Sequence, residues 1–417
     1  MEHSIVKHRS LRCSILTVGY FPDGVARSQR LFLLARILRE GLGDTSVWLL
    51  HAGSKVSIPE NTSLAGECEG IKFVYLSGTT IRPARIGAAI LDTLRGIYRS
   101  ARLLMRADAC PDVLILYTPT LLKFIVPVAI ARLRRIPIIV EACEIFSKST
   151  DTIGVGFLRR AGNSGQLLME RRTPALAAGL LVISQGIQKY YEKLGLPPGG
   201  SYLLPVLIDF KRYEKGSAAA VDNLVGVKFL LNSGSFGEKD GLAFLVSAVA
   251  RIRADDPALK LVFTGTAPSS TRAKILAGAG AGSEDWIIFT GLISRETLIW
   301  CYKNAVGLLC CRSNSDYANY GFPTKLAEYL ASGRPVVATT VGDVTRYLTD
   351  EETAFLAEPE NIESIDLAIR RLLRDPHHSA LVGVRGTEVA KHYFDYRNYV
   401  AGVSAFIRQR TGRAHPG

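Results

Sequence analysis

Apolar and polar positions along the chain repeat one rhythm. A short apolar run is followed by a longer stretch whose apolar positions recur at helical spacing. In the first half "CSILTVGYF" leads into the helical "RSQRLFLLARILREG", "TSVWLLH" and "IKFVYLSG" read as strands, and a long helix precedes "DVLILYT". Another helix, the strands "IPIIVEA" and "AGLLVISQ", and the helix "GIQKYYEKLG" close that half. Several strands are apolar throughout rather than alternating, as a parallel strand covered on both faces must be. The Pro/Gly cluster "LPPGGSYLLP" and the polar "KGSAAAVDN" read as a linker. The rhythm then restarts with "KFLLNSG", "KLVFTGT", "WIIFTG", "VGLLCC", "PVVATT" and "TAFLAE", separated by helices. A chain of 417 residues exceeds one ordinary core. The pattern predicts an α/β protein with two doubly wound, Rossmann-like domains, residues 1–200 and 201–390. An aromatic helical tail, 391–417, packs back on the first.

Charge changes this picture by distinguishing the halves. The formal net charge is +13, and residues 1–200 carry 26 Lys+Arg against 15 Asp+Glu, so nearly all the excess lies there. The basic half points to an anionic partner: lipid headgroups, nucleic acid or a phosphorylated substrate. A solvated basic surface is the plainer account. No nucleic-acid-binding motif stands beside the charge, so nucleic acid is not expected. The seven cysteines include no C-x-x-C, and Cys310 and Cys311 lie inside an apolar strand, which reads as a reducing, cytoplasmic setting. The run at 124–131 is bounded by Lys123 and Arg132 and is shorter than the roughly 20 apolar residues that span a bilayer. No signal peptide is evident, because "CSILTVGYF" reads as a first core strand.

Three glycine-bearing loops follow strands, where open α/β sheets bind ligands. In "GYFPDGVARSQR", Gly24 opens a helix that carries Arg27. In "LLNSGSFGEKDG", Ser233, Gly234 and Ser235 leave the backbone open ahead of Lys239, a composition suited to a diphosphate. In "GFPTKLAEYLASGRPVVATT", Pro323 begins a helix, and the amides of Thr324 and Lys325 point to the loop mouth. Lys325 opposes the helix dipole there, so an anion is expected beside it. Glu328, one turn on, offers a carboxylate that can accept two hydroxyl hydrogen bonds. The alternative is an ordinary Lys–Glu pair on a surface helix.

The trio "GSFGEKDG", "FTGLIS" and "GFPTKLAEYLASGRPVVAT" resembles the retaining GT-B glycosyltransferases of the "group 1", family 4 superfamily, which includes the glycogen synthases. The resemblance runs over most of the chain and is most specific in the second half. It implies two Rossmann-like domains and a nucleotide-sugar held mainly by the C-terminal one. It places Lys239 on the diphosphate and Glu328 on the ribose hydroxyls. Gly291 and Leu292 fall near the base, and Gly321, Phe322 and Pro323 near the sugar and phosphate. Three departures stand out. Ser235 occupies the place of a frequent family arginine, and Lys325 is the candidate to supply that charge. The family's Glu-x7-Glu pair keeps its second member, Glu328, but has Tyr320, preceded by Asn319, at the first. Where many members have a histidine, Glu141 or Glu144 stands nearby. A leaving diphosphate can itself take the acceptor proton, so the histidine is dispensable. No D-x-D pair or metal cage is visible, so neither metal nor cofactor is expected.

The helical "IGAAILDTLRGIYRSARLLMRAD" places Ile90, Leu91, Leu94, Ile97, Tyr98, Ala101, Leu104 and Met105 on one face, edged by Arg95, Arg99, Arg102 and Arg106. That is the pattern of a helix lying on an anionic membrane, or of a core helix with arginines in water. Sequence therefore points to a glycosyltransferase acting on a lipid-linked or cell-surface glycan at the cytoplasmic face of a membrane. The alternatives are a sugar-nucleotide 2-epimerase on the same fold, or a non-catalytic, membrane-docked nucleotide-sugar binder.

Overall fold

A computed structural model describes residues 9–24, 26–53, 61–117, 121–145, 148, 157–214, 220–234 and 236–412. The chain divides into two compact units, one formed by residues up to Leu204 together with those from Tyr396, the other by Pro205–Asp395.

The first unit is built on eight strands: β1 (Cys13–Thr17), β2 (Thr45–Leu49), β3 (Ala65–Cys68), β4 (Ile71–Tyr75), β5 (Val113–Tyr117), β6 (Ile138–Ala142), β7 (Gly179–Val182) and β8 (Ser201–Leu203). They lie in the order β3-β4-β2-β1-β5-β6-β7-β8, parallel except for the β3–β4 pair. Every residue of β1, β5, β6 and β7 is buried, which is why those segments read as unbroken apolar runs. β4 alternates buried and exposed positions, and β3 is largely exposed at the edge. Four helices of this unit matter below: α1 (Ala26–Gly41), α2 (Ile86–Met105), α3 (Leu121–Leu133) and α4 (Phe157–Leu176).

The final helix, Val400–Arg410, belongs to this unit and packs on α1. Gly41 makes room for it: a Cβ there would sit 3.0 Å from the Val400 carbonyl oxygen. Tyr396 donates its hydroxyl to Glu40 at 3.0 Å, and the Arg36 guanidinium lies 4.5 Å over its ring.

The second unit is an all-parallel sheet of six strands: β9 (Phe229–Ser233), β10 (Lys260–Thr264), β11 (Ile287–Gly291), β12 (Gly307–Cys310), β13 (Val336–Thr339) and β14 (Phe355–Ala357). Their order is β11-β10-β9-β12-β13-β14. Cys310 and Cys311 are buried, and burial pushes the Cys310 thiol up to about 11, so it stays protonated and inert.

In both sheets the strand order reverses once, between β1 and β5 and between β9 and β12. Loops diverge outside the carboxyl ends of such strands and leave room for a ligand.

Several local readings change. Ser201–Leu203 lies inside the Pro/Gly cluster read as linker, yet forms β8 through pairing with β7. β3 and α4 were not visible as periodic segments. Glu141 is not a substrate-facing carboxylate. It is fully buried on β6 and accepts from Arg30 Nε at 2.7 Å. Arg30 also donates to the Leu204 carbonyl at 2.8 Å, so Glu141 is the counter-charge of a buried arginine. Truncating one partner of such a pair strands the other in low dielectric. Glu141→Ala is therefore expected to lower the unfolding free energy by about 3–5 kcal/mol, read as a lower urea midpoint. A loss below about 1 kcal/mol would remove this role.

Candidate functional site

The reversal between β9 and β12 gathers most of the second-half candidates. The helix Thr324–Ala331 buries Leu326, Ala327, Tyr329, Leu330 and Ala331, and leaves Thr324, Lys325 and Glu328 half-buried on its other side. Its N-cap, Pro323, has no capping side chain, so the first amides keep their donor capacity.

The anion demanded by Lys325 is supplied from within the protein. Lys325 Nζ lies 3.1 Å from Asp240 Oδ1 and donates to Asn232 Oδ1 at 3.4 Å. Asp240 also accepts the Gly237 amide at 2.9 Å. Burial opposes the charge on both partners. Lys325 and the Gly237 amide nonetheless hold the Asp240 carboxyl below its ordinary pKa, and Asp240 raises that of Lys325.

Lys325 also borders the glycine loop. Gly234, at φ +144°, has space for a Cβ only 3.4 Å from Lys325 Nζ. A Cβ on Gly265 would fall 2.1 Å from the Gly234 carbonyl oxygen, so the loops after β9 and β10 touch backbone to backbone. Lys239 sits on the short 3-10 turn Glu238–Asp240, half-buried, with Nζ 4.8 Å over the Tyr317 ring. Ser235 lies outside the described residues.

Glu328 is held from the opposite side. It accepts from Arg295 Nη2 at 3.0 Å and from the Tyr302 hydroxyl at 3.1 Å. The Tyr302 and Tyr329 hydroxyls each lie 3.0 Å from Ser233 Oγ. The Ser233 amide donates to Tyr329 Oη at 2.7 Å. Ser233 is thus corrected from an open loop residue to a buried link whose amide and hydroxyl are both engaged. Burial, with Glu328 next, pushes the Tyr302 phenol well above its usual range. A carboxylate has about four acceptor directions; Arg295 and Tyr302 engage two at Glu328, and the Tyr213 phenol stands beside it as well.

The neighbouring candidates divide. Phe322 is buried against Tyr347 and Phe394, with ring centroids 5.4 and 5.5 Å away, and so supports the loop from beneath. Asn319 accepts the Gly342 amide at 3.1 Å and donates to Asn314 at 2.8 Å, which holds a turn beside Gly321. Tyr320 and Gly321 are half-buried on the same stretch, and Pro323 is buried. Gly291 is half-buried at the end of β11, and Leu292 is 76% exposed.

In the first unit, Gly24 is required by packing: it has φ +152°, and a Cβ would meet Ser28 Oγ at 2.3 Å. Arg27 is exposed and lies 5.5 Å over the Tyr117 ring. Glu144 is half-buried.

Helix α2 packs in an unusual sense. Its buried residues are Asp92, Gly96, Ser100, Ala101 and Leu104, whereas Ile86, Ile90, Leu91, Leu94, Tyr98 and Met105 are exposed, Ile86 by 81% and Tyr98 by 67%. A Cβ on Gly96 would lie 2.0 Å from the Leu50 carbonyl oxygen, so the helix rests on its small residues. Arg95 and Arg102 are exposed beside the apolar face. Arg99 donates to the Leu76 carbonyl at 3.0 Å, and Arg106 pairs with Asp108.

Sequence reading missed Asn232, Asp240, Arg295, Tyr302 and Tyr329, because their partners are distant in the chain. It also missed Arg312, a buried residue directly after the apolar strand β12, whose guanidinium neighbours Gly321. An arginine straight after a buried strand is the one local signal that could have found it. Among the described residues, no group of three or more His, Cys, Asp or Glu could hold a metal ion. No helix of the described residues is long and apolar enough to cross a membrane. What the β9/β12 edge offers is a glycine loop, uncapped amides, cations and a half-buried carboxylate acceptor.

The Lys325–Asp240 pair gives this edge a defined pH response. Asp240 has a folded pKa below its unfolded value, so its contribution is complete above that value and lost as pH falls through the folded one. Lys325 has a raised folded pKa, so its share persists until the pH is strongly alkaline. The stability difference between wild type and Asp240→Asn is expected to be flat from about pH 5 to pH 9 and to shrink below about pH 4. Denaturant titrations across that range check this, and a difference that persists undiminished at about pH 2 would refute it.

Residues 228–375 match the family model described as "Glycosyl transferases group 1". The MMP alpha-(1->4)-mannosyltransferase of Mycolicibacterium hassiacum is 23% identical over 252 residues, 60% of this chain and 58% of that relative. The chain thus spans less than two thirds of the length of that curated relative. Among solved structures, the sucrose-phosphate synthase from Thermosynechococcus elongatus superposes with a TM-score of 0.72 at 17% identity, covering 97% of this chain and 100% of that one. Anabaena Alr3699/HepE, solved in complex with UDP and glucose, gives 0.68 at 14% identity over 96% and 100%. At these identities the structural likeness establishes the fold, an α/β GT-B architecture with two Rossmann-like units.

Proposed function

We propose that the chain, whose residues 228–375 match the group 1 glycosyltransferase model, moves a sugar, with retention, from a nucleoside-diphosphate sugar to a lipid-linked or cell-surface glycan. The observation that carries this reading is the pairing of features at the β9/β12 edge. Gly234, Lys239, Lys325 and the uncapped amides of Thr324–Ala331 suit a diphosphate, and Glu328 stands one turn away with acceptor capacity for a ribose diol.

Charge develops on the diphosphate as the glycosidic bond breaks. Fixed cations and amides stabilise that charge more than they stabilise the ground state. Lys325, already matched by Asp240, acts mainly by shaping the loop, and Lys239 supplies charge from a less enclosed position. Arg312 stands where it can add to that field. Gly291 and Leu292 are assigned to the base, and Tyr320, Gly321 and Thr324 to the sugar and phosphate. Charge supplied in this way requires no metal, and transfer is expected to survive a chelator.

Lys239→Ala is expected to raise donor KM and lower kcat together, by about tenfold or more in kcat/KM. Glu328→Ala is expected to weaken nucleoside-diphosphate binding, seen as a smaller ligand-induced rise in melting temperature. Wild-type donor kinetics in the first variant, or undiminished UDP and GDP shifts in the second, would overturn the corresponding role.

Membrane contact at the cytoplasmic face is part of the same proposal. Its support is the exposed apolar face of α2, flanked by Arg95 and Arg102. Changing Arg95, Arg99, Arg102 and Arg106 together to serine is expected to reduce co-sedimentation with anionic vesicles, most clearly at low salt. Sedimentation equal to wild type would dispose of it.

A further inference from the structure

Phe236 stands in the glycine loop between Gly234 and Lys239, and its backbone carries strain. It has φ +57°, in the left-handed region where a Cβ crowds the backbone and glycine is the usual occupant. Glycines flank it at 234 and 237, yet this position holds a phenylalanine. A bulky residue persists there only where its surroundings over-determine the conformation.

Those surroundings are aromatic. Phe236 is 5% exposed, and among the described residues of 234–240 it is the one that belongs to the apolar core of the second unit. Its ring meets Phe263 of β10 edge-on, with centroids 5.4 Å apart. Phe263 in turn stacks on Phe289 of β11 at 5.4 Å and 17°. The Arg272 guanidinium, from the helix Ser269–Ala279, closes the column 5.2 Å over Phe289. The column therefore runs from the glycine loop across β10 to β11, two residues short of Gly291.

The backbone of the loop is tied on both sides of this ring. The Gly234 amide donates to the Thr264 carbonyl at 2.9 Å, and the Gly237 amide to Asp240 at 2.9 Å. The Ser313 amide donates to the Lys239 carbonyl at 3.0 Å. These ties fix the ends, and the buried ring fixes the strained middle. We infer that Phe236 is a positioning residue: locked in the aromatic column, its ring holds the stretch from Gly234 to Lys239 in the shape that receives a diphosphate. A loop set in advance lowers the ordering cost of binding and keeps its donors aligned. This role rests on the reading of the loop as a diphosphate site, and adds to it a side chain that acts through its neighbours.

Calorimetric titration of the full chain with UDP, UMP, GDP and GMP tests this, beside a melting curve for each variant. The readout is the preference for a diphosphate over the monophosphate of the same nucleoside. Phe236→Ala removes the ring and keeps the strained backbone. Phe236→Gly removes the ring and accepts the positive φ freely, so it is expected to melt above the alanine variant. Both are nonetheless expected to lose about tenfold or more of the diphosphate preference. Phe236→Leu refills much of the volume and is expected to stay within about threefold of wild type. If the alanine variant lacks a native melting transition, the glycine and leucine variants decide. A role in packing alone would make the preference follow the melting temperature. Wild-type preference in the folded glycine variant, or a preference that recovers with the melting temperature from alanine to glycine, overturns the positioning role alone. A wild-type chain that favours neither diphosphate overturns the diphosphate reading of the loop, and this role with it.

Discussion

The second unit is organised around a buried ammonium group that cannot exist there alone. Lys325 Nζ is enclosed by the glycine loop, and an unpaired charge in that setting would be heavily penalised by desolvation. Asp240 resolves this at 3.1 Å, and in doing so ties the helix Thr324–Ala331 to the turn that carries Lys239. A second tie runs from Ser233 through Tyr302 and Tyr329 to Glu328 and Arg295. Both ties end on the same short helix. Gly234, Lys239 and Glu328 therefore come from separate elements yet share one rigid frame, which is what pre-organised charge stabilisation needs.

The first unit meets the same constraint with a different result. Arg30 and Glu141 neutralise each other deep in the sheet, and no capacity is left for a ligand. Cys143 Sγ lies 2.8 Å from Glu141 Oε2, so the buried carboxylate is engaged from within the unit on more than one side.

Helix α2 shows that amphipathic pattern alone does not say which face is buried. Apart from Leu104, its fully buried positions are small or polar, and Gly96 lets that face approach the Leu50 carbonyl. Only the packing reveals that Ile86, Ile90, Leu94 and Tyr98 are left to the exterior.

The α/β class and the course of most strands were legible in the chain, because a parallel strand covered on both faces must be continuously apolar. The glycine loop, Lys325 and Glu328 were legible as chemistry, since a lysine at a helix start and a carboxylate on a half-buried helix both demand partners. The identity of those partners was not. Asp240 and Arg295 meet Lys325 and Glu328 only because the order β11-β10-β9-β12-β13 brings their loops to one edge, and local sequence carries no record of that order. The same holds for Glu141, legible as a carboxylate at the end of an apolar strand but defined as a counter-charge only by Arg30 reaching it from α1. Sequence by itself determined which residues needed company. Tertiary structure decided which needs are met inside the protein and which are left for a ligand, because compensation of buried charge and hydrogen bonding acts over a few ångströms of space, whatever the separation along the chain.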